Sequence, residues 1–160
     1  MFLLTFISFK YKFMVKASKF KWYRNENSMN EVEKIIKIAE KIKDKYDIEE
    51  VLIDISIINK LMFDNYTVSF KADIYNEIRK KYSEEIAVIA EIEKRFGATE
   101  NNQGAPVDIT NELQKLKLCL VKILVYRISK FKNKLIEKIL GCGSLQEMLD
   151  FLIEITGKTT

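Results

Sequence analysis

The chain has 160 residues and a mass of 18.8 kDa, which is the size of a single domain. Its apolar fraction of 48% argues against disorder, and one Pro with five Gly argues against a turn-rich sandwich or barrel. The absence of His excludes imidazole bases, His-dependent nucleophile pairs and His-ligated metal sites. We therefore expect an all-α, single-domain bundle of about five helices, preceded by a basic N-terminal arm.

The net charge of +4 is distributed unevenly along the chain. Residues 1–24 contain six basic and no acidic residues, residues 25–110 twelve basic and eighteen acidic, and residues 111–160 nine basic and five acidic. This distribution predicts basic ends around an acidic middle. It suits contact with a nucleic acid, with an acidic partner or between copies of the chain.

We assign residues 1–27 to a basic aromatic arm and residues 28–160 to the helical bundle. The apolar start lacks a leading basic region and is interrupted by Lys10, so it predicts neither a signal peptide nor a membrane span. Lys21 and Arg24 lie beside aromatic residues, as in surfaces that bind single-stranded nucleic acid. A disordered tail or a biological start at Met14 are the alternatives. The expected location is cytoplasmic, without membrane contact.

The first half of the bundle shows helical periodicity. Two pairs have capping-box spacing and predict helix starts, namely Ser28 with Glu31 and Asp47 with Glu50. For residues 51–58 we favour a helix over a strand, which remains the alternative because Ile residues alternate there. Residues 70–96 carry an apolar stripe that predicts one long helix or two helices with a break near Ser83.

The second half follows a loop predicted at residues 97–109, which contains the only Pro. Thr110 is the predicted cap of the next helix, whose leucines share one face with Phe131. Residues 119–125 are apolar on most sides, so they predict either the centre of the core or a subunit interface. From that segment we expect a homo-oligomer. Residues 144–155 predict a final amphipathic helix that begins at Ser144.

Candidate catalytic chemistry is weak. Residues 51–56 resemble the opening strand of PIN-domain nucleases, in which an Asp at the position of Asp54 helps to hold a metal ion. Alternating strands and helices do not follow, so we interpret Asp54 as a solvated residue on a helix. Cys119 and Cys142 are expected to be reduced, buried thiols, with a disulfide between them as the alternative. We predict no catalytic residue, no metal, no cofactor and no enzymatic activity.

The basic helix over residues 113–138 is the stronger candidate site, with eight basic residues and one acidic residue. We expect its polar side to contact RNA phosphates, with an ordinary exposed face as the alternative. The candidates there are Lys115, Lys122, Tyr126, Lys130 and Lys132. Arg127 projects on the apolar side instead, so we expect it to have a carboxylate partner or to lie in a subunit interface.

Over residues 30–157 the chain resembles the small helical subunit of type III-A CRISPR effector complexes. The matching segments are residues 67–71 (Thr-Val-Ser-Phe-Lys), 75–80 (Tyr-Asn-Glu-Ile-Arg-Lys), 116–118 (Leu-Lys-Leu), 126–127 (Tyr-Arg) and 144–155. Where the first family motif ends in Arg, this chain has Lys71 or Ala72, and Arg79, Lys80 and Lys81 are nearby alternatives. The resemblance implies a non-catalytic bundle that stacks on copies of itself along guide and target RNA and contacts mainly the backbone.

Two hypotheses of function follow. The first is a nucleic-acid-associated assembly subunit that contacts single-stranded RNA and other effector-complex subunits. The second is a helical protein-interaction or scaffold protein of archaeal or viral type, without a role in nucleic-acid binding.

Overall fold

The computed structural model describes residues 30–97, 108–133 and 136–158, which form eight α-helices. They are α1 (Glu31–Lys41), α2 (Lys43–Tyr46), α3 (Glu49–Phe63), α4 (Val68–Lys81), α5 (Ser83–Arg95), α6 (Ile109–Phe131), α7 (Glu137–Cys142) and α8 (Leu145–Thr156). The predicted all-α class is confirmed, and no strand occurs in these ranges. The predicted arm, with Lys21 and Arg24, and most of the predicted loop lie outside the described residues.

The helix count exceeds five because three predicted segments are interrupted. The first helix breaks at Ile42, which separates α1 from the single turn of α2. Residues 70–96 form two helices that meet at Tyr82, so the alternative with a break is correct. The predicted basic helix ends at Phe131 rather than continuing to residue 138, and Asn133 follows with a φ of 58°. Residues 51–58 are helical, so the strand alternative is wrong.

Side-chain caps explain several of the helix starts. The Thr67 and Ser144 side chains accept hydrogen bonds from the amides of Phe70 and Glu147, at 3.1 and 3.2 Å. The start of α1 is capped by Asn30, which accepts from the amide of Glu33 at 3.1 Å. The predicted cap for that helix, Ser28, lies outside the described residues.

Two predicted caps are wrong. Asp47 does not begin α3; it ends α2 in the left-handed conformation with a φ of 54°, which Asp tolerates better than most residues. Thr110 lies inside α6, and the Asp108 carboxylate accepts a hydrogen bond from the Thr110 amide at 3.0 Å. The capping-box pattern pairs residues that are three positions apart. It does not identify this start, because Asp108 and Thr110 are only two positions apart.

Helix α6 is the centre of the bundle, with α1, α3, α4 and α5 packed against it. Leu120, Val121, Ile123, Leu124 and Val125 are all 0% exposed. The apolar segment over residues 119–125 is therefore covered by helices of the same chain, which removes the reason for assigning it to a subunit interface. The leucine face ends earlier than predicted, because Phe131 is 63% exposed.

The two cysteines differ in their exposure. Cys119 is half-buried and Cys142 is exposed, so the prediction that Cys142 is buried is wrong. Within the described ranges, none of the helices is both long enough and apolar enough to cross a membrane.

Candidate nucleic-acid interface

Two lysines of the predicted phosphate-binding face have carboxylates nearby, one on a neighbouring helix and one on the same helix. The Lys122 ammonium is 2.9 Å from a carboxylate oxygen of Glu93 on α5, and the Lys115 ammonium is 3.8 Å from Glu112 on its own helix. Ser129, on the same helix, is 1% exposed and donates to the Tyr126 carbonyl. Lys122 is therefore held against α5 by an ion pair, whereas Lys115 is exposed and makes a long contact within its own helix.

Arg79 joins these two lysines in a groove between α4, α5 and α6 that has a volume of about 270 Å³. Its guanidinium donates to the Tyr75 hydroxyl at 3.2 Å, and that hydroxyl donates to Glu112 at 3.1 Å. Burial raises the pKa of the Tyr75 hydroxyl, so it remains a donor at neutral pH. Lys80, the next residue, is exposed and does not line the groove.

Arg127 has its carboxylate partner inside the chain. Its guanidinium donates two hydrogen bonds to Glu85 on α5 and a third, at 2.9 Å, to the Asp47 carbonyl. The hydrogen bond to Glu85 is the main cause that raises the pKa of Arg127. A bidentate pair of this kind fixes both position and orientation, so Arg127 holds α6, α5 and the α2–α3 connection together.

The interpretation of Asp54 as a solvated residue is wrong. Its side chain is 0% exposed and accepts hydrogen bonds from the Tyr82 hydroxyl at 2.6 Å and the Lys81 ammonium at 3.0 Å. Lys81 also pairs with Glu50 at 2.9 Å. In the part of the chain that the structure describes, no group of three or more Cys, Asp or Glu residues is placed to hold a metal ion.

The remaining candidates, Lys130, Lys132 and Tyr126, lie at the C-terminal end of α6. Here the exposed Phe131 ring makes an edge contact with the Tyr46 ring, with centroids 4.9 Å apart. The Lys130 ammonium lies 5.7 Å from the centre of the Tyr126 ring. Lys45 lies equally close to the ring of Tyr46. We call Lys45, Tyr126, Lys130, Phe131 and Lys132 the basic-aromatic patch.

The patch differs from the groove in its charge balance. None of the ion pairs within the described ranges involves its three lysines. Asp44 and Asp47 are exposed nearby on the chain, but neither forms an ion pair with them. Within the described ranges the patch therefore combines lysines that have no ion-pair partner with the exposed ring of Phe131.

Sequence reasoning missed Phe131 and Lys45 as members of the patch. Helical periodicity assigned Phe131 to the leucine face, and Lys45 is far away in the chain. The sequence around Phe131 could have indicated its exposure, because an aromatic residue between two lysines near a helix end is seldom part of a core. Comparison of the chain with protein-family models, with curated proteins and with solved structures found no match to any of them.

Proposed function

We propose that this protein is a non-catalytic helical assembly subunit that binds single-stranded RNA through the basic-aromatic patch. The observation that carries the proposal is Phe131, which is 63% exposed at a helix end between two lysines without carboxylate partners in the described ranges. The resemblance to the small subunit of type III-A CRISPR effector complexes agrees with such a role. In that setting the partners are other effector-complex subunits and further copies of this chain.

The chemistry of the patch suits unpaired nucleotides. Lysines that neutralise phosphates release bound counterions, which makes binding favourable and dependent on salt. An exposed aromatic ring stacks on a base and contributes about 1–3 kcal/mol for each base. The Phe131 ring already makes an edge contact with the buried Tyr46 ring, so little further ordering of the Phe131 side chain is needed on binding.

The test is a titration of labelled single-stranded RNA at low and moderate salt. We expect the affinity of the wild-type protein to fall steeply with salt, by a logarithmic slope of about −0.7 for each neutralised phosphate. Phe131→Ala should weaken binding by about tenfold, as expected for one lost stacking contact. The double variant Lys130→Glu with Lys132→Glu should lower both the affinity and the salt slope.

A matched control is available at the end of α5, where Lys94 and Arg95 are also exposed cations in the last turn of a helix. Reversing both of these charges changes the net charge by the same amount but leaves the patch intact. Equal loss of RNA binding in the two double variants would mean that net charge alone attracts RNA. Absence of binding by folded wild-type protein would refute the proposal.

A protein-interaction role without RNA is the second candidate. The corner between α3 and α4 exposes two large apolar side chains, Phe63 at 77% and Val68 at 66%. Exposed apolar residues that lie together are common at protein contacts. If the protein does not bind RNA but Phe63→Lys changes its mass in light scattering, the scaffold role and self-association through this corner are supported.

A further inference from the structure

The groove between α4, α5 and α6 is separate from the basic-aromatic patch and has the form of a small-molecule site. Its volume of about 270 Å³ is near the lower limit of about 300 Å³ for pockets that bury small ligands. We call its apolar lining residues the floor, and they are Ile86, Ile89, Ala90, Leu116, Leu118 and Cys119. A ligand with an apolar body would remove this floor from water.

Arg79 lines the groove and is the lining residue best suited to contact an anion. Arg79 uses one N–H group to donate to the Tyr75 hydroxyl, and its guanidinium carbon lies 5.7 Å from the centre of the Tyr75 ring. None of the ion pairs in the described ranges involves Arg79. Since the Tyr75 hydroxyl also donates to Glu112, the guanidinium is oriented, and its other N–H groups form no hydrogen bond within the described ranges.

The lining of the groove also includes the ion pair between Lys122 and Glu93, at 2.9 Å. Counting Lys115, the groove is lined by three cations and two carboxylates, so its charge favours an anionic ligand. A guanidinium binds planar carboxylate or phosphate oxygens through two parallel hydrogen bonds. A volume of about 270 Å³ leaves room for a ring or a short chain beside such a group.

We propose that this groove binds a small organic anion, with a carboxylate or phosphate group on Arg79 and an apolar body against the floor. The size and charge of the groove suit a molecule such as a phosphate monoester or an aromatic acid. The headgroup is held by the prepared guanidinium, and the apolar body supplies the remaining affinity.

The test titrates isotope-labelled protein with four compounds and follows the backbone amides of the groove by NMR. Phenyl phosphate and benzoate each combine a ring with an anionic group, whereas inorganic phosphate lacks the ring and benzamide lacks the charge. We expect saturable shifts at Ala90 and Cys119 with at least one of the first two compounds. Inorganic phosphate and benzamide should bind about tenfold more weakly, because the first lacks the contact with the floor and the second lacks the ionic contact with Arg79. The tighter of the two anions identifies the preferred headgroup.

The variant Arg79→Gln should weaken binding of the preferred anion by about tenfold or more, which is the effect of losing a charged hydrogen bond. Lys80→Gln is the matched control, because it removes an exposed cation from the same helix turn outside the groove. Absence of saturable shifts with both anions would overturn the proposal, as would equal losses in the two variants. The double variant Lys130→Glu with Lys132→Glu should leave anion binding unchanged. The test of anion binding is therefore independent of the test of RNA binding.

Discussion

Replacement of Asp54 by alanine should destabilise the fold strongly, because the carboxylate is fully buried and has two defined partners. The Tyr82 hydroxyl, in a side chain that is 3% exposed, would lose the acceptor that lies 2.6 Å away. Breaking a buried pair costs about 3–5 kcal/mol. In the variant, Lys81 would still pair with Glu50 at 2.9 Å, and its side chain is 30% exposed. The loss of stability should therefore lie at the lower end of this range. We expect a loss of about 3 kcal/mol.

The assay is urea unfolding followed by circular dichroism, together with thermal unfolding. For a chain of this size, 1 kcal/mol corresponds to about 2–4 °C, so the melting temperature should fall by about 6–12 °C. Combining Asp54→Ala with Tyr82→Phe in a double-mutant cycle should give a coupling of about 1–2 kcal/mol. Asp150, exposed on α8, is the control, and its replacement by alanine should cost less than about 0.5 kcal/mol. Equal effects at Asp54 and Asp150, or a cycle without coupling, would refute the reasoning.

Two further variants test other contacts. Arg127→Lys should lower the free energy of unfolding by about 1–2 kcal/mol, because an ammonium cannot reproduce both hydrogen bonds to Glu85 and the bond to the Asp47 carbonyl. Since these partners belong to the same chain, light scattering should show no change in mass. Gly141→Ala should cost about 1–3 kcal/mol in the same unfolding assay, because its new methyl group would come within 2.9 Å of the Phe96 Cβ. A fully stable Gly141→Ala protein would contradict this packing of α5 against α7.

The fold class could be predicted from the sequence because it depends on local signals that recur in every segment. Apolar residues at helical spacing identified α3 despite its alternating Ile residues. The cap at Ser144 follows from the same kind of local pattern. Predictions failed where a left-handed residue was needed, as at Asp47 and Asn133, since neither position carries the Gly that usually marks such an end.

The site was harder to predict because it depends on which helices meet. A helical projection places Lys122 on a polar face, but it cannot reveal that Glu93, 29 residues earlier, lies against that face. The same limit applies to Asp54, whose partners Lys81 and Tyr82 are 27 and 28 residues away. For Arg127, by contrast, the need for a partner could be stated from its position alone, although the partner itself could not be named.

The central position of α6 has a consequence for how the protein folds during synthesis. Its contacts reach far back along the chain, since Lys117 pairs with Glu33 across 84 residues and Arg127 bonds to the Asp47 carbonyl across 80. The apolar faces of α1, α3, α4 and α5 therefore have no complete covering until α6 has left the ribosome. Contacts of such long range slow folding, and a nascent chain that waits with apolar surface exposed is prone to aggregate. We expect truncated chains that end before α6 to require a chaperone to stay in solution.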